Sequence, residues 1–343
     1  MKSPFPFFGG KSRVAAEVWS ALGDVDSYVE PFAGSLAVLL ARPPWHNGVT
    51  ETVNDLDQYI ANFWRALTYA PNEVAQYADW PVNETDLFSR HLWLVNTGRT
   101  QMQAGMMADP QWYDAKIAGW WLWGICAWIG SGWCSGTGPH TYATTGQGIN
   151  RQRPHLGNAG QGINRQRPHL GDRNINSALW TTDGAIYSYM RTIAARLRYV
   201  RVCCGDWARI VTPGALNHGA TVGVFLDPPY ADTAGRTANI YNQDSLDIAH
   251  DVRRWAIANG DNPRYRIILC GYEGEHEIPV TWRKIAYSDN RAYATSNGGG
   301  LNDANRHKER LWFSPACLCV RPTLFEEVLH CDVQPVLTLT NPR

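Results

Sequence analysis

The chain has 343 residues, 44% of them hydrophobic and 12% aromatic, with a formal net charge of +0 at pH 7. That composition excludes a disordered chain, and the length fits one large domain with an insertion or two domains. The neutral total conceals an imbalance, because residues 1–115 hold 13 acids and 7 bases whereas residues 116–211 hold 11 bases and 3 acids. Such a middle segment is expected to face a polyanion. Of the 31 basic residues 26 are Arg, the side chain suited to bidentate phosphate or guanine contacts, although codon bias gives the same enrichment.

The chain opens with an aromatic patch, Pro4 to Phe8, then Gly9-Gly10-Lys11. The two glycines let the backbone pass close to a ligand, and Lys11 at a helix start can meet a carboxylate or phosphate. An ordinary N-terminal turn with an exposed lysine fits the same residues. Val14, Val18 and Leu22 have helical spacing and predict a helix from Arg13 to Leu22. Ser27 to Val29 reads as a strand that runs into Glu30-Pro31-Phe32-Ala33-Gly34-Ser35 and an apolar helix from Leu36 to Ala41. Strand, glycine turn and helix in this order open a cofactor site in Rossmann-like sheets. Val49 to Val53 predicts a second strand, which leads to Asn54-Asp55. Asp55 lies about 20 residues after Gly34, the separation at which an acid reaches ribose hydroxyls. Leu36 stands where a second glycine would complete G-x-G, so a nucleoside without a pyrophosphate fits better than a dinucleotide. Asp57 to Leu67 is an expected helix.

From about residue 70 the character changes. Tryptophan is dense between Trp112 and Trp133, and no charged residue occurs between Lys116 and Arg151. Glycines interrupt this apolar run, so a buried helix at the root of an inserted domain is expected rather than a membrane span. A verbatim repeat follows: Gly146 to Gly157 recurs as Gly160 to Gly171. Two copies are too few for a solenoid. They read as loops that carry Arg151, Arg153, Arg165 and Arg167, side chains able to reach phosphates and base edges, or as a solvated loop duplicated by replication slippage.

Ile186 to Leu197 predicts a helix, and Val200 to Cys204 a strand ending at Gly205-Asp206-Trp207. Asp206 is suited to accept from an adenine amine with Trp207 beside the ring; a plain helix cap is the alternative. The run Val222 to Leu226 predicts a strand buried on both faces, and it stops at Asp227-Pro228-Pro229-Tyr230. The prolines cannot extend the ladder, so the chain must leave the sheet in a fixed shape. Ligands of open α/β sheets collect just beyond strand carboxyl ends. Asp227 and the Pro228 carbonyl can accept from a planar amine while Tyr230 stacks on its ring. On this stretch alone, a proline-rich strand exit capped by an acid serves equally well. Ser245 to Ala258 predicts a helix, Tyr265 to Cys270 a buried strand, Asn297 to Asn302 a glycine-rich loop and Glu309 to Phe313 a last strand. Strands alternating with helices predict a doubly wound α/β sheet. The eight cysteines form no C-x-x-C pair and no His cluster has metal spacing, so buried reduced thiols and no metal are expected. No basic-then-apolar leader follows Met1, which favours a cytoplasmic protein.

The order of these pieces resembles the Dam-type DNA adenine methyltransferases, especially stand-alone phage and prophage forms. The pieces are Phe8-Gly9-Gly10-Lys11, Glu30-Pro31-Phe32-Ala33-Gly34, Asn54-Asp55, Gly205-Asp206-Trp207, Asp227-Pro228-Pro229-Tyr230 and the weaker Asn305 to Trp312. The resemblance implies a Rossmann-like fold that binds S-adenosylmethionine and moves its methyl to the N6 amine of a flipped-out adenine in double-stranded DNA. It places the catalytic domain in residues 1–70 and 186–320, an inserted, mainly helical and loop target recognition domain in 71–185, and a tail in 321–343. Phe7, Gly10, Lys11, Glu30, Phe32, Gly34, Asp55, Asp206, Trp207 and Asp227 would line the cofactor. Asp227, Pro228, Pro229 and Tyr230 would hold the target base, and the four repeat arginines would contact DNA. No membrane is involved, and a monomer or weak dimer is expected. Methylation of cytosine N4 or of RNA, or a catalytically silent DNA-binding relative, are the alternatives. On this reading Asp227→Ala should abolish methyl transfer and leave the fold intact.

Overall fold

In the computed structural model, the described residues are 1–7, 9–43, 49–109, 111–128, 133–134, 185–229, 248–274, 276–287 and 309–319. The repeat arginines Arg151, Arg153, Arg165 and Arg167, the aromatic Tyr230 and the glycine-rich loop lie outside them. The described strands are β1 (Ser27–Glu30), β2 (Thr50–Asp55), β3 (Val200–Cys204), β4 (Val222–Leu226), β5 (Tyr265–Tyr272), β6 (Arg283–Ala286) and β7 (Glu309–Phe313). They form one sheet in the order β3-β2-β1-β4-β5-β7-β6. The first five in that order run parallel, while β7 is antiparallel to both β5 and β6. This is the expected Rossmann-like α/β sheet.

β1 and β4 lie side by side, with Ser27 opposite Val222 and Val29 opposite Val224. From β1 the chain winds outward through β2 and β3 on one side, then returns to β4 and β5 on the other. The crevice between the carboxyl ends of β1 and β4 is therefore the switch point at which such sheets bind ligands. All five residues of β4 are buried, as an apolar strand covered on both faces requires.

Two buried clusters sandwich the sheet. One joins α1 (Ala15–Leu22) and α3 (Gln58–Tyr69) to α4 (Pro71–Ala78), α7 (Ala115–Ala127) and α8 (Ala185–Leu197). The other packs α9 (Ile248–Gly260) and the 3₁₀ turn Trp207–Ile210 against the opposite face. α3 begins where the Asp57 carboxylate accepts from the Tyr59 N–H at 2.8 Å, and α7 where Asp114 accepts from the Ile117 N–H at 2.8 Å.

The tryptophan-rich run forms α7, which ends at Ala127 rather than reaching Trp133, and no described helix is long and apolar enough to cross a membrane. Its glycines serve close packing. A Cβ on Gly119 would stand 2.4 Å from the Cβ of Tyr77 and 2.7 Å from the Val74 carbonyl oxygen, so α4 and α7 can touch only without it. α5 (Glu84–Trp93), a π-helical turn (Leu94–Gly98) and α6 (Arg99–Ala108) occupy the stretch before α7.

The chain before residue 71 and the chain after residue 185 are fastened together by charge. Glu51 on β2 accepts both nitrogens of Arg196 on α8, at 2.7 and 2.8 Å, and Arg42 at 3.0 Å. All three side chains are at least nine-tenths buried. Arg191 of α8 also donates to the Asn72 side chain of α4 at 2.9 Å.

Candidate active site

The carboxyl ends of β1, β2 and β3 are stitched into one floor. Beyond β1 the chain turns sharply, with Gly34 at φ 45° and Leu36 at φ 53°. The Gly34 N–H donates to one Asp55 oxygen at 2.9 Å, and the Asp57 N–H donates to the other at 2.9 Å. A carboxylate has lone pairs for more than these two bonds, so Asp55 retains accepting capacity for hydroxyls. Asn54 spans the neighbouring gaps, its amide donating to the Pro31 carbonyl at 3.1 Å and the Gly205 carbonyl at 2.9 Å. The Asn54 side-chain oxygen is buried with no hydrogen-bond partner among the described residues.

Gly34 must be glycine on two counts. Its φ is positive, and a Cβ would stand 2.7 and 2.9 Å from carbons of the Phe7 ring. Phe7 is in turn held by the turn it begins, where the Gly10 N–H donates to the Phe7 carbonyl at 3.1 Å. The aromatic patch and the glycine turn are thus one surface. On the other side of the floor Phe32 and Trp207 stack with centroids 6.2 Å apart and planes 30° from parallel. Asp206 remains exposed, and one of its oxygens caps the 3₁₀ turn by accepting from the Ala208 N–H at 2.8 Å. The capping role weighed from sequence is therefore made.

The Leu36 side chain, standing where a second glycine would complete G-x-G, is fully buried in the cluster below the sheet. A left-handed leucine is strained by about 1–3 kcal/mol, and its burial offsets that cost.

At the switch point itself, Lys11 reaches across to Asp227. Its ammonium lies 2.8 Å from the carboxylate and donates to the Gly9 carbonyl at 2.6 Å. The Lys11 side chain is 4% exposed and that of Asp227 20%, so the carboxylate opens toward solvent while the ammonium does not. Cys270 also hydrogen-bonds Asp227, and as a thiol beside a carboxylate it is the donor. Cys270 follows Leu269, which pairs with Leu226 on β4, so strand register alone brings the thiol beside Asp227.

Burial raises the Asp227 carboxyl above its ordinary range, against the pull of Lys11 and Cys270. Burial by itself would lower Lys11, but Asp227 first, then Tyr287, Cys270 and Glu309, hold it well above the usual lysine range. Glu30, which accepts from the Tyr28 hydroxyl at 2.9 Å, is pushed up to about 8, chiefly by burial. Burial, with the nearby Asp57 second, pushes Asp55 up to about 7. Shifted carboxyls gathered at a strand-end crevice make it a candidate working site.

Asp55 ends β2 and Asp227 follows β4, with β1 between them, a separation of two strand spacings or about 10 Å. The structure therefore brings Phe7, Gly10, Lys11, Glu30, Phe32, Gly34, Asp55, Asp206, Trp207, Asp227, Pro228 and Pro229 to the carboxyl ends of adjacent strands. Sequence reasoning passed over Asn54 as a clasp, Cys270 as a donor to Asp227, and Tyr287 beside them. Only the register of β5 against β4 could have pointed to Cys270.

Residues 7–90 match the family model of the D12 class N6 adenine-specific DNA methyltransferases. Over that segment, about a quarter of the chain, the sequence is similar to this family. The reaction that this family's name carries is methylation of adenine in DNA, the work of an enzyme. The match includes Phe7, Lys11, the Gly34 turn and Asp55, and stops before Asp227. No curated protein matches the chain.

Proposed function

We propose that this enzyme transfers the methyl group of S-adenosylmethionine to N6 of an adenine flipped out of double-stranded DNA, with Asp227 as the acceptor that orients the amine. The observation that carries the reading is the Lys11–Asp227 pair at the switch point, beside the Gly34–Asp55 turn. The floor fits a nucleoside donor. Asp55 has lone pairs for ribose hydroxyls, Phe32 and Trp207 form a flat wall for a purine, and the buried Asn54 oxygen awaits a donor. S-adenosylmethionine would be held by Phe7, Gly34, Asp55, Asp206 and Trp207, and when bound it supplies a methyl on an electron-poor sulfonium.

The residues of the chain do the rest by placement. Adenine's amine is a weak nucleophile because its lone pair is delocalised into the ring. Asp227 and the Pro228 carbonyl accept hydrogen bonds from its two N–H groups, which favours a pyramidal nitrogen with the lone pair free for in-line attack. The carboxylate develops a stronger bond as the nitrogen gains positive charge, so its contribution is larger in the transition state than in the ground state. Lys11 and Cys270 fix the carboxylate's direction and favour its charged form against the cost of burial. Prolines at 228 and 229 make the carbonyl's position stiff. Because the amine lies inside a duplex, the base must be extruded, and stacking on Tyr230 would recover roughly 1–3 kcal/mol of the cost.

We assign residues 1–70 and 186–320 to the catalytic domain and 71–185 to target recognition, which the 6 bases against 2 acids in residues 116–185 support. The test is transfer of labelled methyl from S-adenosylmethionine to duplexes in which the only exocyclic amines available are those of adenine or those of cytosine. Label in adenine duplexes alone is expected. Label in cytosine duplexes, or no thermal stabilisation by S-adenosylmethionine, would overturn the assignment.

A further inference from the structure

One buried polar atom in the site is not used by this mechanism. Tyr287 leaves the end of β6, and its backbone N–H donates to the Glu309 carbonyl of β7 at 3.2 Å, which fixes its backbone on the carboxyl-end side of the sheet. The Tyr287 hydroxyl is buried and has no hydrogen-bond partner among the described residues. A buried hydroxyl left unsatisfied opposes folding, so such an atom points to a partner that arrives in the working state. The groups it faces are Lys11, Cys270, Glu309 and Asp227, all close enough to interact with the phenol electrostatically. Lys11 only donates, and it is already bonded to Asp227 and the Gly9 carbonyl. The phenol is thus a donor within electrostatic reach of the carboxylate that orients the amine.

Adenine carries an accepting ring nitrogen on each side of its amino group, N1 and N7. A donor close to the amine's acceptor therefore meets one of them, whichever way the base lies. We propose that the Tyr287 hydroxyl donates a hydrogen bond to a ring nitrogen of the target adenine flanking the amine, and so completes the acceptor pocket as a substrate-positioning residue. This rests on the function proposed above. Asp227 and Pro228 read the amine's two protons, and Tyr287 reads the ring beside it. Cytosine has such a nitrogen on one flank only, so a bond to N7 would also reject cytosine.

The test uses DNA with the target adenine replaced by 7-deazaadenine or by 1-deazaadenine, each lacking one acceptor. Wild-type enzyme should lose roughly tenfold in kcat/KM on one analogue and not the other, the usual worth of one neutral hydrogen bond. Tyr287→Phe should show the same loss on ordinary adenine and no further loss on that analogue, with its affinity for S-adenosylmethionine unchanged. Equal rates of the variant and wild type on adenine would overturn the proposal. So would a wild type indifferent to both analogues, or a variant whose loss matches a loss of cofactor affinity. If Tyr287→Phe does not fold, the two analogues on wild-type enzyme decide. A wild type that methylates no adenine at all refutes the proposed function instead, so the two failures are distinct.

Discussion

Asp227→Ala removes the partner of an ammonium whose side chain is 4% exposed. Breaking a buried pair on one side costs about 3–5 kcal/mol, because the remaining charge is neither solvated nor compensated. Lys11 would keep the Gly9 carbonyl at 2.6 Å and the more distant Glu309, which places the cost at the low end, about 3 kcal/mol. At about 2 °C per kcal/mol for a chain of this size, Tm should fall by about 6 °C. The expectation from sequence, that this substitution would silence the enzyme and spare the fold, is therefore amended. Lys11→Met combined with Asp227→Ala removes both charges, and should return Tm to within about 2 °C of wild type while remaining inactive. Thermal unfolding of the three proteins, followed by tryptophan fluorescence, makes the comparison. A single variant as stable as wild type, or a double variant no better than the single, would refute the account of Lys11 as a buried, Asp227-dependent cation.

Four further outcomes follow from the same geometry. Leu36→Gly relieves a left-handed backbone but empties a fully buried position, and should destabilise the protein by about 2–3 kcal/mol in denaturant titration, since the lost packing exceeds the strain. Asp55 is raised to about 7, so the folded state holds its proton more tightly than the unfolded chain; stability of the ligand-free protein is greatest below the unfolded value of about 4 and falls as pH rises toward 7. A ligand that donates hydroxyls to the carboxylate has the opposite preference, so S-adenosylmethionine should bind more tightly at pH 8 than at pH 6 by calorimetry, and Asp55→Asn should erase the difference. Glu51→Gln leaves Arg42 and Arg196 buried beside a neutral amide, and should cost about 3–5 kcal/mol in thermal unfolding without moving the KM for S-adenosylmethionine.

Strands whose apolar runs are continuous were legible to within a residue or two. Val200–Cys204 and Glu309–Phe313 end where the composition places them, and β5 runs two residues beyond the expected Cys270 because Gly271 and Tyr272 still pair with β7. β6 was missed because Arg283-Lys284-Ile285-Ala286 is half-exposed and carries one large apolar residue, too little for a periodic signal. Within the site, what could be read was what is local in sequence: a glycine turn, an acid after a strand, an acid before two prolines. Cys270 lies 43 residues from Asp227 and Tyr287 lies 60, and only pairing across the sheet brings either beside it. Asn54 was visible as a residue, but its bonds go to carbonyls of two other strand ends, which no side-chain pattern announces.

The bidentate grip of Arg196 on Glu51, with Arg191 on Asn72, has a consequence for how this enzyme can change. The chain up to residue 72 and the chain after residue 185 are clamped to each other, independent of what is threaded between them. Doubling the length of such an intervening stretch adds only about 0.6 kcal/mol of closure entropy. A twelve-residue duplication can accordingly enter the basic stretch with little thermodynamic penalty, while the sheet and its strand-end floor stay untouched.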